Sequence, residues 1–146
     1  MDLVSVQKED FLEVFVAVKQ GIFEYIDNVF GWDDDFQYQR LKDEYELSWF
    51  YWVYVDDNKI GLICYKPYDD AVHIHLLLIF PEYRKRMYGN SVMAKVREQS
   101  LSEQRKRITL SSFSQNSGAI RFYKRLGYKV VESEEHFVSL SLNLAL

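Results

Sequence analysis

A basic turn between an apolar strand and a helix is the segment of this sequence best suited to chemistry. It consists of Pro81-Glu82-Tyr83-Arg84-Lys85-Arg86-Met87-Tyr88-Gly89-Asn90. Backbone N–H groups at a helix N-terminus are unpaired, and the helix dipole there favours anions. Arg84, Lys85 and Arg86 add charge that can reach phosphate oxygens. These residues predict a phosphate-binding turn, although a basic turn that is merely solvated has the same composition.

A second segment with a recognisable spacing follows one helix and one strand later. It consists of Asn116-Ser117-Gly118-Ala119-Ile120-Arg121-Phe122-Tyr123-Lys124-Arg125-Leu126-Gly127-Tyr128. The first segment resembles the pyrophosphate loop of the GNAT superfamily of N-acetyltransferases, Pro-Glu-Tyr-Arg-Gly-x-Gly-x-Gly. The second resembles the helix Asn-x-x-Ala-x-x-Phe-Tyr-x-x-x-Gly-Phe/Tyr of the same family, and Trp32–Gln37 is similar to Trp-Asp-Glu-Glu-Phe-Gln of a small bacterial subgroup. The chain therefore resembles a small, single-domain, bacterial-type GNAT protein.

The resemblance implies acetyl-CoA as the cofactor and assigns residues to it. Leu78 and Ile79 would pair through their backbone with the pantetheine arm. Asn116 would contact that arm and cap the following helix, and Tyr123 would stand near the thioester sulfur. The implied cofactor-binding residues are Leu78, Ile79, Arg84, Lys85, Arg86, Met87, Tyr88, Gly89, Asn90, Asn116, Phe122 and Tyr123, and no metal is implied.

The basic turn departs from the family pattern at two positions, because Lys85 and Met87 stand where the family has glycine. Glycine suits a loop whose backbone approaches a phosphate closely or takes unusual dihedral angles. Met87 fits such a loop if its φ is ordinary and its side chain points away. The alternative to an active enzyme is therefore a degenerate domain that binds CoA without turnover, as a sensor or an assembly subunit.

Acyl transfer to an amine needs a neutral amine and a proton for the departing thiolate. A tyrosine, with a reference pKa of about 10, can provide that proton. The resemblance makes Tyr123 the candidate acid, whereas the helix pattern alone is typical of a half-buried aromatic. His73 falls where histone-type members of the family carry a strand glutamate that acts as the base. It shares a strand face with His75, and a structural role for it stays open. A backbone N–H near Leu78 or Ile79 is implied to meet the oxyanion.

The resemblance implies that the acceptor is a primary amine of a small molecule or peptide, bound by the first two helices and the loop between them. A negative cleft would raise the local concentration of such a cation, but acids also suit the N-terminus of a solvated helix. Trp32 and Tyr45 either line an acceptor pocket or fill the core. The acidic residues of this region are Asp27, Asp33, Asp34, Asp35, Asp43, Glu44 and Glu46.

Hydrophobic periodicity predicts the order β-α-α-β-β-β-α-β-α-β-β for the elements that position these residues. The resemblance implies the α/β (α+β) GNAT fold as one domain over residues 1–146. Its mixed central sheet would have about six to seven strands, splayed between strands four and five and flanked by four helices.

Local signals predict where several elements begin and end. We expect Gly21 to bend or interrupt the first helix. The second helix is expected to begin with a capping box formed by Asp34 and Gln37. Asp56–Lys59 and Pro67–Asp70 have the composition of turns.

Composition excludes several classes of protein. The net charge of -4 and the pI near 5.4 argue against nucleic-acid binding. No apolar run approaches the roughly 20 residues of a membrane span, and the N-terminus lacks the pattern of a signal peptide. Cys64 is the one cysteine, so an internal disulfide is impossible. We therefore expect a cytoplasmic monomer or homodimer without a nucleic-acid or membrane partner.

Overall fold

The computed structural model describes residues 1–144, in the element order that the sequence predicts. Residues 145 and 146 of the predicted domain lie outside the described residues. The helices are α1 (Phe11–Phe30), α2 (Asp34–Glu44), α3 (Tyr88–Ser102) and α4 (Ser117–Arg125). The strands are β1 (Asp2–Ser5), β2 (Phe50–Val55), β3 (Asn58–Tyr68), β4 (Ala71–Ile79), β5 (Arg107–Phe113), β6 (Lys129–Ser133) and β7 (Phe137–Asn143).

The strands form one mixed sheet in the order β1-β2-β3-β4-β5-β7-β6. The pair β4 and β5 is parallel, whereas β1–β2, β2–β3, β5–β7 and β6–β7 are antiparallel. Residues Ala71 to Ile74 of β4 pair with Arg107 to Leu110 of β5, and β4 then continues to Ile79 beyond the paired stretch. The predicted mixed sheet with a splay between strands four and five is therefore confirmed.

Contacts within the chain define two compact units. The first comprises Met1–Cys64 and Leu76–Arg86, and its buried core includes Val14, Trp52, Leu62 and Leu78. The second comprises Tyr65–His75 and the chain from Met87 onward, and its buried residues include Val92, Val96, Ile108 and Leu140. The single domain over residues 1–146 stays a prediction.

Helix α1 continues through Gly21, so of the predicted bend or interruption the interruption is wrong. A Cβ at Gly21 would lie 3.4 Å from Cδ1 of Leu78, which means that this glycine lets α1 approach β4 closely. The predicted cap of α2 is wrong by one residue. Asp33, with extended backbone angles, accepts a hydrogen bond from the Phe36 N–H at 3.0 Å, so α2 begins after Asp33.

The turn predicted at Asp56–Lys59 is confirmed for Asp56 and Asp57, which both have positive φ and join β2 to β3 through a two-residue connection. It is wrong at its end, since β3 begins at Asn58. The turn predicted from Pro67 is wrong at its start, since β3 continues to Tyr68. Pro67 lies beyond Cys64, where the pairing of β3 with β2 ends, so its missing N–H breaks no bond of that ladder.

Candidate active site

The basic turn ends in a helix N-terminus, as predicted. A short 3₁₀ turn, Pro81–Tyr83, follows β4, and Met87 is the residue immediately before α3. The first bond of the helix runs from the Ser91 N–H to the Met87 carbonyl at 3.2 Å. The N–H groups of the first turn, residues 88–90, therefore have no partner within the helix. Such a turn can bind an anion such as a phosphate.

Lys85 and Met87 have φ values of 64° and 65°, which lie in the left-handed region. They are two of the three positions at which the family pattern has glycine, and the third is Gly89. A non-glycine residue in this region costs roughly 1–2 kcal/mol. Met87 is 69% exposed, and its φ is not ordinary. At these two positions the turn therefore has a backbone conformation that favours glycine, although neither residue is glycine.

We expect Met87→Gly to tighten CoA binding by up to about tenfold, because removal of the side chain would let a phosphate approach the backbone of the turn more closely. Calorimetric titration of the variant and the wild type with CoA measures this. Gln104→Gly is the matched control, since Gln104 also has a positive φ of 60° but lies in the connection from α3 to β5. Unchanged affinity in Met87→Gly, or an equal gain in Gln104→Gly, contradicts the prediction.

The end of β4 is held by close backbone contacts in the first unit. The Phe80 N–H donates to the Ile60 carbonyl at 2.8 Å. A Cβ at Gly61 would overlap the carbonyl oxygen of Leu78 and lie 3.2 Å from the Cα of Ile79. The Arg84 Nε–H donates to the Ile79 carbonyl at 2.9 Å. The Ile79 carbonyl therefore already accepts a hydrogen bond from Arg84, although the resemblance assigns Ile79 to the pantetheine arm.

Asn116 caps α4, because its side-chain oxygen accepts a hydrogen bond from the Ala119 N–H at 3.1 Å. This part of the prediction for Asn116 is confirmed. In the same unit, a Cβ at Gly89 would lie 3.3 Å from Cζ of Phe122. The first turn of α3 therefore packs against α4 and brings two of the predicted cofactor-binding residues, Gly89 and Phe122, together.

Tyr123 is 7% exposed on the inner face of α4. Its ring centroid lies 5.0 Å from that of Phe122 and 5.5 Å from that of Tyr128. Gly127, with a φ of 102°, ends the helix, and the Tyr128 N–H donates to the Tyr123 carbonyl at 3.0 Å. Burial raises the pKa of the Tyr123 phenol above its ordinary value, because a phenolate is poorly solvated there. Tyr123 therefore keeps its proton throughout the neutral and mildly alkaline range.

His73 lies in the stretch of β4 that pairs with β5, opposite Thr109. Its Nδ1 and the Thr109 hydroxyl are 2.8 Å apart, and its ring lies edge-on to that of His75 at 4.7 Å. Burial, aided by the charge of Lys66, lowers the pKa of His73. Burial, with His73 and Lys66, lowers the pKa of His75 to about 4. Both imidazoles are thus neutral at pH 7, which is the state that a base requires.

The two aromatic residues with open roles differ in their surroundings. Tyr45 packs against Trp49 and Phe50 at the edge of the core of the first unit, and burial raises the pKa of its phenol. Trp32 is half-buried and lies 5.4 Å from the ring of Phe23. Both residues are half-buried and pack against the core of the first unit, and Trp32 also contacts Phe23, which is 40% exposed.

Two features of the structure were not anticipated from the sequence. One is the close approach at Gly61, for which a glycine inside a strand was an available signal. The other is the contact of Lys19 with Trp32 and Asp34. No local pattern could indicate it, because it depends on the return of the chain from α1 to α2.

Over residues 1–144, none of the helices is long and apolar enough to cross a membrane. The same part of the chain holds no group of three or more His, Cys, Asp or Glu side chains placed to bind a metal ion.

Known proteins match this chain over most of its length. The sequence model of the acetyltransferase (GNAT) family matches residues 13–128. An uncharacterized N-acetyltransferase of Methanocaldococcus jannaschii is 26% identical over 132 residues, which cover 85% of this chain and 57% of that protein. The chain thus spans little more than half the length of this curated relative.

Solved structures share the fold at low sequence identity. The PaiA N-acetyltransferase of Thermoplasma acidophilum, in complex with coenzyme A, aligns with a TM-score of 0.76 at 15% identity, over 97% of this chain and 98% of that one. The ribosomal-protein-S18-alanine N-acetyltransferase of Escherichia coli aligns with a TM-score of 0.72 at 12% identity, over 99% and 94% of the two chains. At these identities the likeness concerns the fold alone.

Proposed function

Because this chain belongs to the GNAT acetyltransferase family, we propose that it transfers an acetyl group from acetyl-CoA to a primary amine of a small molecule or peptide. Acetyl-CoA is the cofactor of this family. The observation that carries the proposal is the start of α3. The end of β4 is followed by three basic residues, Arg84–Arg86, and then by the first turn of α3, whose N–H groups have no partner within the helix. The family binds pyrophosphate at this point of the chain.

The cofactor would be held mainly through backbone groups. The amides of residues 84–90 would bind the pyrophosphate, with charge from Arg84, Lys85 and Arg86. The backbone of Leu78 and Ile79 would pair with the pantetheine arm, and the Ile79 carbonyl would then exchange its bond with Arg84 for one with the cofactor. Asn116 and Phe122 would border the arm at α4.

The proposed reaction is a direct attack. The neutral amine nitrogen attacks the thioester carbon, a C–N bond forms and the C–S bond breaks. His73, neutral at pH 7, is the proposed acceptor of the amine proton. Tyr123, which stays protonated, is the proposed donor to the departing CoA thiolate. A backbone N–H at Leu78 or Ile79 would stabilise the oxyanion.

A second candidate function is CoA binding without turnover. The observation that favours it is the left-handed φ of Lys85 and Met87 in the turn that would bind pyrophosphate. This conformation has a free-energy cost for residues other than glycine. A protein of this kind would bind acetyl-CoA and leave every amine unmodified.

Calorimetric titration with acetyl-CoA, with ATP as the control for nonspecific phosphate binding, tests the cofactor site. We expect saturable binding of acetyl-CoA alone, with a dissociation constant on the order of 1 μM to 1 mM. Transfer is then tested with a panel of primary amines, and the release of the CoA thiol is measured for each amine. Absence of binding contradicts both candidate functions, and binding without thiol release for any amine supports the second.

A further inference from the structure

The ammonium group of Lys19 lies in a cage of two aromatic rings and one carboxylate, all in the first unit. Its Nζ is 5.6 Å from the ring centroid of Phe23 and 5.7 Å from that of Trp32. The Asp34 Oδ1 lies 2.8 Å from the same nitrogen. The Phe23 and Trp32 centroids are 5.4 Å apart, with ring planes inclined at 51°, so the two rings form a corner. Aromatic faces and a carboxylate are the groups that recognise an alkylammonium ion.

The walls of this cage are held in place by contacts that do not involve Lys19. The Trp32 indole N–H donates to Asp34 Oδ1 at 2.6 Å. The Trp32 backbone N–H donates to Asp27 Oδ1 at 3.0 Å, and the Trp32 ring packs against Phe15. Trp32 and Asp34 would therefore keep their positions if the Lys19 ammonium left the cage.

The cage is also open to solvent. Phe23 is 40% exposed, and the side chains of Lys19 and Asp34 are 37% and 61% exposed. An exposed ion pair of this kind is weak. An external ammonium that displaces Lys19 must replace this ion pair, which alone accounts for a loss of about fivefold in affinity, and two exposed cation–π contacts that add to that loss.

A second lysine of the same unit makes a similar contact in a different setting. Lys59 Nζ lies 4.1 Å from the ring centroid of Trp52 and pairs with Glu13 at 2.6 Å. Trp52 is 2% exposed and belongs to the core, so Lys59 only covers a buried ring. The difference makes Lys59 a control: it has the same chemistry without an open two-ring corner.

We propose that Phe23, Trp32 and Asp34 form a recognition site for an alkylammonium group, and that Lys19 is its internal occupant until an external ammonium replaces it. The site lies between α1 and the start of α2, the region where the sequence places the acceptor. In the setting of the proposed function, it would select acceptors that carry a cationic group in addition to the amine that reacts. That assignment rests on the proposed function, whereas binding of the ammonium group does not.

The test is a titration of the ¹⁵N-labelled full chain with n-butylammonium chloride, without acetyl-CoA, followed by the tryptophan indole N–H signals in NMR. n-Butylammonium has the head group and chain length of a lysine side chain, and 1-butanol and sodium chloride are the controls for chain and ionic strength. We expect a saturable shift of the Trp32 indole signal, identified with Trp32→Phe. The Trp52 indole, which donates to Asp10, should not shift.

The variants give effects of opposite sign. Lys19→Ala should tighten n-butylammonium binding about fivefold or more, because the internal occupant is gone. Asp34→Asn should weaken it, and Lys59→Ala should leave it unchanged. If the only role of Lys19 is to stabilise the packing of α1 against α2, Lys19→Ala will not tighten n-butylammonium binding, and the proposal fails. It also fails if the Trp32 signal does not shift saturably or if Lys59→Ala has the same effect as Lys19→Ala. Failure of amine acetylation leaves this result untouched and counts only against the proposed function.

Discussion

Tyr123→Phe is expected to lower kcat by about 10²- to 10⁴-fold, because it removes the proposed proton donor for the CoA thiolate. The ring should remain in place, since it is 7% exposed and packs against Phe122 and Tyr128. CoA affinity should therefore change little. Turnover is measured with saturating acetyl-CoA and an acceptor identified in the amine panel, and CoA affinity is measured by calorimetry.

Tyr128→Phe is the matched control for this prediction. Tyr128 is a buried tyrosine in ring contact with Tyr123, and burial raises the pKa of its phenol in the same direction. It has no proposed role in the reaction, so its variant should retain wild-type turnover. Full activity of Tyr123→Phe, or an equal loss of activity in the two variants, would show that Tyr123 is not the acid.

Gly61→Ala is expected to lower the free energy of unfolding by about 3 kcal/mol, because the added methyl group overlaps the carbonyl oxygen of Leu78. Neither backbone can yield without breaking neighbouring bonds, among them the bond from the Phe80 N–H to the Ile60 carbonyl. The end of β4 carries Leu78 and Ile79, so acetyl-CoA affinity should fall as well. Urea denaturation measures stability, and calorimetry on the folded variant measures affinity.

Gly118→Ala is the control for adding a methyl group to a glycine. Gly118 lies in α4, and the nearest atom to an added Cβ is 3.9 Å away, which is an ordinary contact. Alanine in a helix is at least as favourable as glycine, so this variant should be as stable as the wild type or slightly more stable. A Gly61→Ala variant as stable as Gly118→Ala would show that β3 and β4 can separate at no cost.

The candidate site was predictable to the extent that its signals are local. The resemblance assigned Asn116 as a helix cap, and the capping bond joins it to Ala119, only three residues further on. The helix N-terminus after the basic turn follows from an apolar strand, a proline and a helical pattern in consecutive order. The backbone of Lys85 and Met87 was not predictable in this way, since their side chains disfavour the φ values that they adopt.

The sequence by itself determined the order of the helices and strands and the turn at Asp56–Asp57, because both depend on residues that are neighbours along the chain. Only the tertiary structure decided that Gly21 lets α1 approach Leu78 rather than interrupting the helix. Only the tertiary structure brought the Lys19 ammonium to Asp34, which lies 15 residues further along the chain. Contacts of this kind depend on how whole elements pack, and periodicity and turn composition carry no information about them.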